Sequence, residues 1–347
     1  MTVTPNTESV VNPPQTPPSL VRRWLVPLLK FSFAAGLIYY VLSHNLIDFK
    51  RLQKLLETPR MLFLAMAVVS TQMFIGAQRL RLLLKTQGVQ LGYFTMLRLT
   101  YIGAGFDVFL FTSVGGDAVK AVYLARLVPT GRRMEAVSVL LMDRLMGLIG
   151  MLSVTLIMAL WQLEVLWSDA DIRPYILAMI GVSLFFLLGL AGLLSENIHA
   201  WFSGQSWFKR LPLSSFVDRS YGALQQFRNH PKALLSAWVL SLMVHFMGVL
   251  TGYVLMLGLE LNAPMGMFFV AWLMASFINS FLPLGGIGGG QFAYNEVFRR
   301  IVGLSGGADL ATAFQITAAL AKAPGLIIWL ISREHTPAAP PAEEHNV

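Results

Sequence analysis

Apolar residues in this chain come in long runs, not in the alternating pattern of a half-buried strand. Leu25 to Leu42, Met61 to Ile75, Leu145 to Trp161, Tyr175 to Leu194, Ala233 to Leu259 and Leu310 to Ile331 are such runs. They approach or exceed the roughly 20 residues that a bilayer-spanning helix needs. The pattern predicts an all-α, polytopic integral membrane protein. Two places break it. Phe111 to Asp117 reads Phe-Thr-Ser-Val-Gly-Gly-Asp, and Phe281 to Gly288 reads Phe-Leu-Pro-Leu-Gly-Gly-Ile-Gly. Each falls inside apolar sequence and interrupts a helix there. Backbone broken at membrane depth is tolerated only where protein or a wet cavity satisfies it. Paired breaks in the two halves of a chain point to a transporter's binding site.

Charged positions give a topology. Arg22 and Arg23 precede the first run, and Arg79, Arg81 and Lys85 close the second, so both groups are assigned to the cytoplasm. The next basic cluster, Lys120, Arg126, Arg132 and Arg133, is assigned to the same side. The segment of about Phe94 to Val114 therefore leaves and returns, as a re-entrant hairpin with its tip near Gly115 and Gly116. Glu164, Asp169 and Asp171 mark an outer loop, and Lys209, Arg210, Arg219, Arg228 and Lys232 an inner one. Trp201, Phe202, Trp207 and Phe208 suit an interfacial position in that inner loop. Met265 to Ile301 forms a second hairpin, entering from outside. The count is about six full spans plus two re-entrant hairpins, or eight to nine apolar segments, with an inverted repeat as an open possibility. Lys50, Arg51, Lys54, Arg60, Arg299 and Arg300 fall on the outer side and count against this arrangement unless acids such as Asp48 and Glu57 offset them. Residues 1–20 and 334–347 read as disordered cytoplasmic tails around one transmembrane domain, residues 21–333.

Composition narrows the chemistry. Of 347 residues, 55% are hydrophobic and 13% charged, about half the usual charged share of roughly 25%. No cysteine is present, which excludes disulfides, thiolate metal sites and cysteine nucleophiles. The six histidines are scattered, without paired metal-ligand spacing. No cofactor motif or ATP-binding P-loop is visible. The formal charge of +8 fits basic cytoplasmic loops facing anionic lipid better than nucleic-acid binding.

Polar residues inside the apolar runs are the candidate chemistry, because an intramembrane charge is costly and by default functional. Gly115 and Gly116 allow close backbone approach, the helix after them points its positive end at an anion, and Lys120 adds a cation one turn on. The plainer reading is a tight turn in which Asp117 caps the helix from Ala118. Pro283, Gly285, Gly286 and Gly288 form a second break, and small-residue helix packing is its alternative. Gln291 and Glu296 open the following helix, and Asn279 precedes the break. Asp143 and Arg144 lie well inside the helix Ala136 to Trp161 and point about 100° apart. Each therefore needs a partner on another helix: Arg79 or Arg81 for Asp143, and Asp107 or Asp117 for Arg144. Lys322, just before Pro324-Gly325, interrupts the last helix and faces either Glu296 or a cavity. His245 reads as a contact between helices.

Taken in order, Arg79-Leu-Arg-Leu-Leu-Leu, Gly103 to Asp117, Val119-Lys-Ala-Val-Tyr-Leu-Ala-Arg126, Met142-Asp-Arg-Leu-Met-Gly147 and Phe281 to Gly288 resemble the flippase-like membrane family that includes the transmembrane half of lysylphosphatidylglycerol synthases. The resemblance spans about Leu25 to Ser332. It implies transfer of a lipid headgroup across the bilayer. Three positions depart from the family pattern: Thr112 stands where proline is usual, Lys120 where arginine is usual, and Gln291 where glutamate is usual. The last puts proton coupling or cation recognition there in doubt. The soluble aminoacyl-transfer domain of the synthases is absent from the sequence, so no lysyl transfer is inferred. The expectation is a lipid translocase of the bacterial inner membrane, not an enzyme. Its substrate is an anionic phospho- or polyprenyl-linked lipid, and lipid-biosynthesis enzymes are candidate partners. The alternatives are a membrane-embedded lipid-modifying enzyme using Asp117 or Asp143 as base, and a non-transporting accessory subunit of a lipid-synthesis complex.

Overall fold

The computed structural model describes residues 46–109, 115–129, 132–168, 173–194, 229–280 and 287–333, with single positions between these stretches. The expected disordered tails, most of the first apolar run, the inner loop from Phe202 to Arg219 and both glycine-turn tips (residues 110–114 and 283–286) lie outside the described residues. Among the described residues the chain is helical and contains no strand. The helices are α1 (Phe49–Glu57), α2 (Pro59–Thr86), α3 (Tyr93–Phe109), α4 (Gly115–Leu127), α5 (Arg133–Trp161), α6 (Leu163–Ser168), α7 (Arg173–Leu194), α8 (Pro231–Gly258), α9 (Met265–Ser280), α10 (Gly289–Ile301), α11 (Gly307–Lys322) and α12 (Pro324–Arg333).

Four helical stretches among the described residues are long and apolar enough to cross a bilayer: Pro59–Thr86, Ala136–Trp161, Pro231–Gly258 and Gly307–Ser332. The last contains the break at Pro324 and runs through α11 and α12. Ile176–Gly189 within α7 and Met265–Ser280 are apolar but shorter. The protein is a multi-pass helical membrane protein.

Helices α2 and α8 form the centre, with the most extensive packing of any pair. Both are 28 residues long and both start with proline at a first-turn position, where the missing N–H has no helical partner to lose. They run antiparallel. Thr58 Oγ1 donates to the Gly258 carbonyl at 3.4 Å, Gln72 reaches Thr251 at 3.3 Å and Arg79 reaches Ser241 at 2.9 Å. Position therefore rises along one helix as it falls along the other.

The elements that follow each central helix repeat. Helices α3 and α4 have 17 and 13 residues; α9 and α10 have 16 and 13. Then comes α5 in one half and α11 with α12 in the other. The starts of corresponding elements keep an almost constant spacing: 172 residues from Pro59 to Pro231 and from Tyr93 to Met265, and 174 from Gly115 to Gly289 and from Arg133 to Gly307. Packing follows the same exchange. Helix α5 packs against α8 and α9, while α11 packs against α2 and α12 against α3.

Both short pairs are hairpins that return to the end they left. Arg132, just before α5, donates to the Gly88 carbonyl, just after α2, at 2.9 Å. In the other half Gly306, before α11, lies against Leu261, after α8. Because α2 and α8 are antiparallel, the two hairpins enter from opposite ends of the bundle. Their packing differs. The first closes on glycine: a Cβ at Gly116 would stand 2.1 Å from the Gly103 carbonyl oxygen. The second closes on aromatics: Trp272 meets Tyr294 with ring centroids 5.1 Å apart, and Phe268 meets Phe298 at 5.4 Å.

At the end where α8 finishes, the basic residues that counted against the topology are largely paired. Arg51 bonds the almost fully buried Asp309 at 2.7 Å, Lys54 pairs with Glu260, and Arg299 and Arg300 both hold Glu296. Asp48 accepts from the Lys50 and Arg51 amides and caps α1.

Candidate functional site

Asp107 stands fourteen positions into α3, about 21 Å from its start by helical rise, and Asp117 lies in the first turn of α4. The hairpin brings them together at its inner end. The Gly116 amide donates to Asp107 Oδ1 at 2.9 Å, so a carboxylate satisfies an otherwise orphan helix-start N–H. Gly115 opens the same turn. Asp117 is not the cap. Helix α4 begins three residues earlier than the capping reading requires, and the carboxylate turns to other partners instead. It accepts from Lys120 Nζ at 3.3 Å and from Arg144 Nε of α5. Arg144 is 47% exposed, whereas Asp117 and Lys120 are 22% and 15% exposed. The guanidinium thus leans over the hairpin with part of its surface open.

Lys322 joins from the other half. It is the last residue of α11 and half-buried, within electrostatic range of Asp107, Lys120 and Arg144. Helix α12 can press close to α3 because Gly325 and Gly105 carry no side chains. A Cβ at Gly325 would stand 1.8 Å from the Tyr101 carbonyl oxygen, and one at Gly105 would stand 2.9 Å from the Leu326 nitrogen. Among the described residues, three cations (Lys120, Arg144, Lys322) and two carboxylates (Asp107, Asp117) thus meet at this point.

Arg79 and Asp143 form a separate unit. Arg79 Nε donates to Asp143 Oδ1 at 2.7 Å and Nη2 donates to Oδ2 at 3.0 Å, while Nη1 reaches Ser241 Oγ. The two side chains are 11% and 15% exposed. This bidentate pair ties α2, α5 and α8 together. His245 of α8 contacts the Gly147 carbonyl of α5 at 2.9 Å beside it. Adjacent helix positions diverge by about 100°, so Asp143 faces α2 and Arg144 faces the hairpin. Arg81 is elsewhere. Two residues beyond Arg79, on nearly the opposite side of α2, it donates to the Leu91 carbonyl at 3.3 Å.

The second hairpin holds uncharged polar groups. Gln291, 6% exposed, accepts from the Gly288 amide at 2.8 Å and donates to Gln315 of α11 at 2.9 Å. Gly288 sits at φ 76°, a conformation that glycine adopts without penalty. Asn279 Oδ1 is buried without a hydrogen-bond partner among the described residues. It would stand 2.5 Å from a Cβ at Gly290. Pro283, Gly285 and Gly286 lie outside the described residues. Glu296 does not join this group and does not face Lys322. Five residues beyond Gln291, it has rotated about 140° around α10. It borders an apolar cleft of about 330 Å³ lined by Met274, Ile278, Phe292 and Arg300.

Four residues were given no part in the site from the sequence: Ser241, Gln315, and the glycines Gly103 and Gly325 that let the helices close. Gln315 had a visible signal. It lies seven residues before Lys322, on the same helical face of an otherwise apolar segment.

Fold and site together define a polytopic α-helical membrane protein with two short helix pairs, one carrying charged and one carrying neutral polar groups. A match to the lysylphosphatidylglycerol synthase TM region covers residues 28–325, and the chain belongs to that family. No curated protein and no solved structure gives a significant match.

Proposed function

We propose that the protein is a lipid translocase that carries an anionic lipid headgroup past the charged hairpin. The observation that carries this reading is the cluster of Lys120, Arg144 and Lys322 around Asp107 and Asp117, three cations and two carboxylates among the described residues, with Arg144 partly exposed. Guanidinium and ammonium groups bind phosphate oxygens through charge-assisted hydrogen bonds. Family membership supports a role in membrane lipid handling.

The repeated units, read as an inverted-topology repeat with both hairpins re-entrant, give the protein its means of alternating access. An element that opens toward one face has an antiparallel counterpart for the other. Helix hairpins of 13–17 residues are shorter than the roughly 20 residues of a full span, so they end within the bilayer. Acyl or isoprenoid chains remain in lipid while the headgroup moves, without covalent chemistry. The end carrying Lys85, Arg132, Arg133, Lys232 and Arg333 faces the cytoplasm by its excess of basic residues. A bacterial inner membrane is the setting, and enzymes that make or use the lipid are the expected partners.

The test is headgroup transfer between leaflets in proteoliposomes containing a panel of anionic lipids. Transfer above protein-free vesicles, reduced by Arg144→Ala and by Lys322→Ala, supports the reading. Transfer equal to protein-free vesicles for every anionic lipid contradicts it.

A further inference from the structure

Helix α1 is too short to cross a bilayer, and the bundle covers only part of its apolar side. At about 100° per residue, Phe49, Leu52, Leu55 and Leu56 fall in one apolar arc of about 120°. Lys50, Gln53, Lys54 and Glu57 fill the other side of the helix. Leu55, at one edge of the arc, is buried against the bundle, and Leu52 is half-buried. Phe49 and Leu56, at the other edge, are 68% and 70% exposed. The arc is therefore wider than the bundle can bury.

The attachment of α1 fixes where that uncovered edge lies. One residue, Thr58, is both the C-cap of α1 and the N-cap of α2, with φ −112° and ψ 62°. This non-helical residue turns α1 off the axis of the spanning helix. Its hydroxyl donates to the Lys54 carbonyl at 3.1 Å and to the Gly258 carbonyl at 3.4 Å. The buried Asp309 of α11 accepts from the Asp48 amide at 2.6 Å and from Arg51 Nη1 at 2.7 Å. Lys54 pairs with Glu260, just beyond α8. Helix α1 is thus fastened across the end of the bundle where α2 and α11 begin and α8 finishes. The uncovered edge continues onto α2 through the exposed Phe63 and Leu64. Lys50 and Arg60 are exposed beside it.

We infer that α1 is an interfacial helix, lying in the plane of the membrane surface with Phe49 and Leu56 in the acyl boundary and Lys50 and Arg60 among anionic headgroups. A helix with an apolar edge beside basic residues binds a bilayer in this way. Continuity with the flank of a spanning helix favours lipid over a protein partner. So does size: two side chains fall far short of the roughly 800 Å² per partner of a stable protein interface. The inference rests on the multi-pass membrane fold and is independent of what the protein carries. Asp309 joins this surface helix to the first turn of α11, whose last residue is Lys322, about 20 Å along the same helix. One helix thus links the bilayer surface to the charged cluster.

The test uses the full-length protein, which has no native cysteine, in phosphatidylcholine vesicles with iodide available on both sides. An environment-sensitive fluorophore is placed on Leu56→Cys or on its neighbour Glu57→Cys, both exposed positions. The label at position 56 should emit to the blue of that at 57. It should be quenched by a phospholipid carrying a nitroxide high on its acyl chain and resist iodide, with the reverse at 57. Adding phosphatidylglycerol should increase the blue shift at 56, and Lys50→Gln with Arg60→Gln should abolish that increase. Equal iodide quenching at the two positions would place α1 in water and overturn the inference. Shielding of position 56 from iodide and nitroxide alike would mean a protein cover and overturn it too. A blue shift indifferent to phosphatidylglycerol would overturn the anionic partner.

Discussion

A carboxylate buried in a helix bundle is tolerated only with a close cation and hydrogen bonds to spare, and Asp143 has both. Arg79 meets it with two parallel bonds and Ser241 takes the remaining guanidinium arm. Removing one member strands the other, a loss of about 3–5 kcal/mol for buried pairs. Arg79→Ala should therefore lower the thermal unfolding midpoint clearly in detergent, and the double change Arg79→Gln with Asp143→Asn should recover much of it. Equal melting of wild type and Arg79→Ala would show that the pair holds nothing together. Gly116 makes a second prediction. Alanine there would place its Cβ 2.1 Å from a backbone oxygen and 2.6 Å from the Asp107 carboxylate, a clash that side-chain rotation cannot relieve. Gly116→Ala should separate α3 from α4 and abolish lipid binding. Gly76→Ala, whose Cβ meets nothing within 4 Å, serves as the matched control and should bind normally. The charged residues were legible in the sequence because charge inside apolar runs is expensive enough to be noticed. Choosing Arg79 rather than Arg81 was not, since both lie on one helix and only the position of α5 decides between them. The opposite faces of Gln291 and Glu296, in contrast, were implied by their five-residue spacing alone.

At the element scale, the contact between Arg132 and Gly88 and that between Gly306 and Leu261 bring the two ends of each short helix pair together, and the proposed reading takes each pair as a hairpin and not two crossings. The absence of native cysteine makes this testable with single introduced thiols. Cysteines at Gln90 and Pro129, both exposed, flank the first hairpin and should label from the same side of the membrane. Cysteines at Asn262 and Ser305, exposed around the second, should label together from the opposite side. Labelling of either pair from two sides would turn that hairpin into a crossing. Charge distribution led to the expectation of a first hairpin, because basic clusters stood at both ends of one apolar segment. How each closes was hidden. In a chain whose helices face lipid as well as protein, Phe268 and Phe298 in the core and Phe94 and Phe185 on the surface look alike, because burial carries no compositional signature there. The glycine closure of the first hairpin was equally silent, since the partner of Gly103 is a turn of helix from the other arm.

At the scale of the whole molecule, two units of the same element order surround an antiparallel pair of central helices. The charged cluster at the first hairpin draws its members from the first unit and one residue, Lys322, from the second. That contribution makes the cluster a junction between units. Hence Lys322→Ala should slow transfer of an anionic headgroup by about tenfold, the worth of one charge-assisted contact, with little change in melting temperature. Reduced stability together with normal transfer would make Lys322 a purely structural residue. The number of paired units was only suggested by the two glycine motifs. The constant spacing of helix starts emerges once helix boundaries are known, and hydrophobicity alone leaves those boundaries indistinct.

The central claim is that an anionic headgroup crosses by way of the charged hairpin. It is tested most directly by following a fluorescent phosphatidylglycerol from the inner to the outer leaflet of proteoliposomes. Wild type is compared with Asp117→Asn, Arg144→Ala and Lys322→Ala at matched protein incorporation. The account predicts transfer well above protein-free vesicles for wild type, with each variant reduced about tenfold or more. Wild-type transfer that persists unchanged in all three variants would contradict it.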